Sequence, residues 1–318
     1  MCSKKSQTSS RFSRTWPPLD NKATLLIRNS LSRLTGEGDL GAVLRSARTT
    51  FGIRIVATVI AYVSMIALAR WMGAAEYGIF TYALSWVYLV VMPAGLGIPA
   101  AAVRFLPEYS AQQRMPLARG FLTWGITLTL VTSAVIATLG VLALQFHILP
   151  TRDAYHLPLE IALAGLPAIA LLVLGAQIAR AFGWVAVAYS PSQVWHPLLL
   201  LIVAAIFVGI GTPPVARLFV PVSLSIAAAC VLVQLAVCFR RLRPRFRGVI
   251  PQYDRLAWLR VSLPLLLLDG FASLINYSDI LMVGFFAGPQ AVAFYAAASR
   301  TAALVTFFYG SINALSGP

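Results

Sequence analysis

Apolar runs of bilayer length recur along almost the whole of this sequence, and they restrict its fold more than any motif does. Eight can be placed, at approximately Phe51–Met72, Tyr77–Val103, Leu117–Leu139, Leu159–Ala181, Gln193–Ile210, Val215–Phe239, Val261–Phe286 and Ala291–Ala314. About 20 residues at helical rise cross a hydrocarbon core about 30 Å thick. A backbone group left without a partner in that core is very costly, so each run must be a helix unless the strands close into a barrel. The alternation required of barrel strands is missing. Charged residues are 11% of the chain, against roughly 25% in soluble domains. The expected fold is all-α, a polytopic membrane protein of about eight transmembrane helices.

Two segments about 215 residues apart repeat each other. Leu68–Ser85 (LARWMGAAEYGIFTYALS) matches Val283–Arg300 (VGFFAGPQAVAFYAAASR), with Gly73 on Gly288, Gly78 on Ala293, Phe80 on Tyr295 and Ala83 on Ala298. Each segment joins one apolar run to the next through a turn of small residues. A repeat decides architecture ahead of local detail. An even number of spans separates the copies, so they share one orientation, as in a parallel repeat. The chain therefore reads as a six-helix N-terminal bundle over residues 41–239, a basic loop over 240–260, and the first two helices of a second, incomplete bundle over 261–318.

Lys and Arg set the orientation. With the N-terminus inside, 21 of them fall on the inner side and three, Arg70, Arg152 and Arg217, on the outer side, with Arg300 inside a span. Cytoplasmic loops carry this excess, so the N-terminus is expected in the cytoplasm. The same distribution accounts for the net charge of +15 without nucleic acid, which is not expected as a partner; the charges suit anionic headgroups of membrane lipids. Residues 1–40 are Ser-, Thr- and Lys/Arg-rich and read as a disordered cytoplasmic tail with no signal-peptide core. Leu40–Arg48 fits a short amphipathic surface helix.

Several chemistries have no foothold. Cys2, Cys230 and Cys238 show no CxxC spacing, and His147, His156 and His196 are scattered, so no metal or other cofactor is expected. Nucleotide-loop, nucleophile-elbow and zinc-protease motifs are absent. No enzymatic activity is expected, and any transport would draw on an ion or substrate gradient.

The informative residues are polar ones inside the spans, where ionisable groups usually meet a partner or a watery cavity. Asp269, Ser273 and Asn276 recur at helical spacing and form one stripe of the seventh span, with Asp279 farther out. Counted from the span ends, Asp269 and Arg300 fall at nearly the same depth. Arg300 is then either a cationic site for an anionic group, with Asp269 or Asp279 as counter-ion or proton carrier, or half of an ion pair that lets two helices pack. Arg54, Arg104 and Arg180, close to span ends, either line an inner vestibule that attracts phosphate or act as snorkelling anchors. The run Pro93-Ala94-Gly95-Leu96-Gly97-Ile98-Pro99 should break or kink the second span, for transport or for packing.

The residues Leu68-Ala69-Arg70, Gly73, Glu76-Tyr77-Gly78 and Phe80 resemble the LAR-x-x-G-x-x-x-YG-x-F opening of bacterial polysaccharide flippases. Gly95-Leu96-Gly97 with Val103-Arg104-Phe105-Leu106 looks like that family's second helix. Ser262-Leu263-Pro264, Asp279, Gly284, Gly288, Tyr295 and Ala298 look like its seventh and eighth. The resemblance covers roughly residues 40–318. It implies the multidrug/oligosaccharidyl-lipid/polysaccharide exporter superfamily, in which two six-helix bundles face each other across a cationic cavity. It also implies movement of undecaprenyl-diphosphate-linked oligosaccharide across the bacterial inner membrane by alternating access, with Arg300 and Arg104 at cavity positions. The lipid-linked oligosaccharide would be the ligand, and a polysaccharide polymerase and glycosyltransferases the candidate protein partners. A cation-coupled multidrug antiporter, a lipid II flippase and a non-transporting scaffold of a polymer-assembly complex stay open beside it.

Six spans per repeat imply at least twelve helices, whereas this sequence reaches only the eighth. Residues 1–318 are expected to expose the polar inner face of the last two helices, to be poorly stable, and to fail alone as a flippase. In liposomes they should not move a fluorescent lipid-linked sugar at full-length rates.

Overall fold

Helices account for every regular element among the described residues, as a backbone that must satisfy itself in hydrocarbon requires. The computed structural model describes residues 37–149 and 151–316, with side chains between residues 55 and 302. The chain divides into two units, Met1–Thr49 and Thr50–Pro318. The first is helical from Glu37 onward, so the last four residues of the tail expected over 1–40 belong to a helix; residues 1–36 and the side chains of Leu40–Arg48 lie outside the described residues. The core and the cavities belong to the second.

The elements are α1 (Glu37–Ala94), α2 (Ile98–Ala111), α3 (Met115–Gln145), α4 (Asp153–Ala164), α5 (Leu166–Ala181), α6 (Val185–Ser190), a π-helical turn (Pro191–Trp195), α7 (His196–Gly209), α8 (Ala216–Leu242), α9 (Arg255–Phe286) and α10 (Pro289–Ser316). Five helical stretches are long and apolar enough to cross a membrane, namely Ile55–Ala94, Met115–Gln145, Val185–Gly209, Ala216–Leu242 and Arg255–Phe286. A sixth arises if α4 and α5, bent by 48°, count as one span. Two features separate this from the eight expected runs. The first two runs continue as one helical stretch, interrupted at Gly73 by a non-helical residue (φ 78°, ψ 162°), and the side chains of α10 are described only to residue 302.

Breaks fall where the chain chemistry permits them. The second expected span does end early: α1 stops at Ala94, Leu96 and Gly97 turn with φ of 47° and 69°, and α2 restarts with Pro99 in its first turn. The fourth expected span bends at Gly165, two residues before Pro167 in the first turn of α5. The fifth begins eight residues earlier than expected, at Val185, and passes through the π-helical turn opened by Pro191. The two glycines paired by the repeat, Gly73 and Gly288, both hold a left-handed φ, 78° and 91°. Other residues rarely adopt that conformation, so each of these two turns calls for glycine.

Helix α5 sits at the centre, packed against α2, α3, α6 and α8. Its buried Leu166, Ile169 and Ala170 join the core formed with α1, α4, α7 and α8, while Leu174 and Ile178 join a second core with α2 and α3. Trp258 at the start of α9 completes that second core. It is fully buried, donates Nε1–H to Tyr109 Oη at 2.9 Å, and meets Phe121 edge to face at 5.3 Å.

The α9–α10 hairpin is held to the preceding helices at both ends. A Cβ at Gly97 would overlap the Ser262 carbonyl, one at Gly78 the Pro289 carbonyl, and one at Gly284 the Tyr82 ring. Small residues let backbones approach in this way, and van der Waals contact drives helix association in lipid. At the hairpin tip Arg152 donates Nη2–H to the carbonyl oxygens of Phe286 (3.0 Å) and Phe285 (3.3 Å), and Tyr155 donates to Gly284 O at 3.3 Å. A cation on the last carbonyls of a helix is favourably placed. Gly78→Val should therefore cost about 1–3 kcal/mol through overpacking, whereas Gly270→Ala, where a Cβ meets open space, should be nearly neutral; unfolding in sodium dodecyl sulfate measures both.

Candidate functional site

Between these two attachments the hairpin stands away from α1 and leaves a cavity of about 580 Å³. Five elements supply its walls. Helix α1 contributes from both sides of Gly73, with Ser64, Thr81, Ser85 and Tyr88 among its residues. The π-helical turn and the start of α7 contribute Ser192, Gln193 and His196. Helix α9 gives Asn276 and Tyr277, and α10 gives Ser299 and Arg300.

Among the described residues that line this space, Arg300 brings the one permanent charge and none is a carboxylate. Tyr88 and Tyr277 stack with ring centroids 5.8 Å apart, within electrostatic reach of Arg300. Asn276 Nδ2 donates back to Ala272 O at 2.7 Å, which leaves its amide oxygen available as an acceptor. His196 Nε2 lies 3.1 Å from both the carbonyl and the hydroxyl of Ser223, so its ring is fixed in orientation at the wall. Ser64 donates to Pro197 O at 3.2 Å and Ser85 to Thr81 O at 2.8 Å. Such a cavity can take an anionic group at Arg300 and hydroxyl-bearing groups along the opposite wall.

Among the described residues expected to form a site, Arg300 and Asn276 line this cavity together, while Asp269, Asp279, Arg104 and Arg180 do not line it. Asp269 is half-buried, does not line the cavity, and among the described residues makes no ion pair with Arg300. Counting depth from span ends misled here because α9 runs 32 residues, longer than the hydrocarbon core needs. Counted from the hairpin turn at Gly288, Arg300 sits twelve residues along α10 and Asn276 twelve residues back along α9. Asp269 lies seven residues, roughly 10 Å, beyond that level. The expected stripe is also split, since Ser273 is buried against the bundle while Asn276 is open to the cavity.

Asp279 is engaged within the hairpin, accepting from Tyr295 Oη at 2.8 Å and from the Ile280 amide at 2.7 Å. Arg180 donates to Gln177 Oε1 at 2.8 Å and lies 5.9 Å from the Tyr189 ring, and Arg104 is exposed beside Phe105. Neither lines the cavity. The Arg54 side chain lies outside the described residues. Tyr88, Tyr277, Ser192, Gln193 and His196 were not singled out from the sequence. The signal available for two of them, Ser192 and Gln193, was the polar run Tyr189-Ser190-Pro191-Ser192-Gln193 beside an apolar helix; a π-helical turn often marks a functional position.

A family model described as polysaccharide biosynthesis protein matches residues 43–316. No curated protein matches the chain by sequence. A solved structure called protein A has a similar fold, with a TM-score of 0.60 at 15% identity. The match covers 86% of this chain and 63% of that one, so this chain spans under two thirds of its length.

The separation of Asp269 from Arg300 has a thermodynamic consequence. In a double-mutant cycle, the stability changes of Asp269→Asn and Arg300→Gln should add to within about 0.5 kcal/mol, whereas a direct pair would couple by up to about 3 kcal/mol.

Proposed function

The chain belongs to the polysaccharide biosynthesis protein family, and from that premise we propose that it carries a diphosphate-linked oligosaccharide lipid across the bacterial inner membrane, as a transporter and not as an enzyme. The observation that carries this reading is the cavity's charge: among the described lining residues there is a single arginine, with hydroxyl, amide and imidazole groups around it, and no carboxylate. A diphosphate needs a cation, and arginine's planar fork suits phosphate oxygens. Sugar hydroxyls need donors and acceptors, which Ser192, Gln193, His196 and Asn276 can supply. A carrier of cationic drugs would instead need acidic groups facing the cargo.

In this reading α1 crosses the membrane twice, once on each side of Gly73, and α10 crosses after Gly288, giving eight spans with the N-terminus in the cytoplasm. The undecaprenyl chain stays in the bilayer while the headgroup enters at Arg300. Alternating access would need the hairpin to separate from the bundle at one end while the other stays attached. The Arg152 and Tyr155 contacts at the tip and the Trp258 contacts at the base are the two places where that separation would occur. The product would then meet the polymerase of the same assembly route.

Introduced at the chromosomal locus, Arg300→Ala should lower cell-surface polysaccharide about tenfold to a hundredfold, the range expected for one charge-assisted hydrogen-bond donor. Arg300→Lys should keep part of it, and lipid-linked oligosaccharide should accumulate on the inner leaflet of the Ala strain. Unchanged polymer in a strain whose Arg300→Ala protein is present at normal level would remove the cavity from the mechanism.

A further inference from the structure

A second cavity, of about 1080 Å³, opens where α3 begins and α8 ends, with the loop after α8 along its side. Arg119, Arg240, Arg243 and Arg247 line it, and none of its described lining residues is a carboxylate. Neighbouring arginines are already engaged elsewhere. Arg241 lies over Trp184 at 5.2 Å and Arg245 over Phe182 at 5.8 Å, both cation–π contacts. Arg119 donates Nη1–H to Phe246 O at 3.2 Å and also to Val249 O, so it pins the loop. Arg240, Arg243 and Arg247 are exposed and, among the described residues, have no hydrogen-bond or ion-pair partner.

Three positive groups gathered on one concavity repel each other, and an anion between them relieves that repulsion. Helix α8 presents its C-terminus here, the negative end of its dipole, so an anion would be held by side chains alone. The cavity is also amphipathic. Leu122 and Ala236 lie about one turn into their helices from the charged rim, beside Phe239, which is 54% exposed. Because α3 and α8 both terminate here, the rim stands at headgroup level and the apolar side chains at the level where acyl chains begin. Basic pockets between helix ends suit phosphate-bearing lipids.

We infer that this cavity binds the headgroup of an anionic phospholipid, with the phosphate held by Arg240, Arg243 and Arg247 and an acyl chain laid on Leu122, Ala236 and Phe239. The site is separate from the cavity at Arg300 and is independent of the transport reading. A free phosphate ion would share the arginines but make no use of the apolar side chains.

The test uses the full chain purified in a neutral detergent and native mass spectrometry with added phosphatidylglycerol, phosphatidylcholine or inorganic phosphate. Phosphatidylglycerol should bind in preference to phosphatidylcholine. The triple substitution Arg240→Gln, Arg243→Gln, Arg247→Gln should weaken that binding on the order of a hundredfold, while the corresponding triple change to Lys keeps most of it. Phe239→Ser should weaken phosphatidylglycerol without affecting inorganic phosphate. Should the triple Gln protein not fold, Arg247→Gln alone, on the loop beyond α8, should weaken binding about fivefold. Equal binding of the two lipids, unchanged binding in the Gln variants, or displacement of phosphatidylglycerol by an equal concentration of inorganic phosphate would each overturn the assignment.

Discussion

Close backbone contact between the α9–α10 hairpin and the preceding helices is the constraint on which the described architecture rests. Hydrocarbon offers no hydrophobic drive to bring helices together, so association depends on contact surface and on satisfied polar groups. Gly78, Gly97 and Gly284 provide the surface by removing the Cβ that would hold two backbones apart. Arg152, Tyr155 and Trp258 provide the polar contacts at the hairpin's tip and base. With both ends attached, the space between them persists as a cavity.

That geometry also explains why the cavity carries so little charge. Its walls come from α1, the π-helical turn, α7, α9 and α10, and their inward positions are mostly hydroxyls, aromatic rings and amides. Among the described residues, only at Arg300 does a full charge face the space. The repeat places Ser85 at the equivalent position of the first copy, and Ser85 lines the same cavity, its hydroxyl spent on Thr81 O. The two copies thus meet at one site with different chemistry, cationic on one side and neutral on the other. Two further arginine groups follow other logic: Arg241 and Arg245 cover aromatic rings, and Arg240, Arg243 and Arg247 surround a separate cavity at the ends of the helices.

Much of this was legible in the sequence and some was not. Apolar run length defines helices, because a backbone in lipid has few alternatives, and α3, α8 and α9 fall close to their expected runs. Pro and Gly marked the break between α1 and α2, since neither continues a helix readily. Arg300 and Asn276 stood out because a polar group in an apolar span has few places to go. Asp269 failed as its partner because depth depends on where a hairpin turns, and α9 extends past the span assigned to it. Gln193 and His196 stayed hidden because a π-helical turn shifts which side chains face inward, and periodicity computed for an α-helix does not see that shift.

The sequence by itself determined the solvent, the all-helical class and the residue whose charge had to be accommodated. All of these follow from local chemistry: apolar length, backbone satisfaction, and the cost of a cation in hydrocarbon. Only the tertiary structure decided which side chains share a cavity and which arginines remain unpaired. Those facts depend on how far one helix slides along another, and glycine contacts such as Gly78 on Pro289 and Gly97 on Ser262 set that distance.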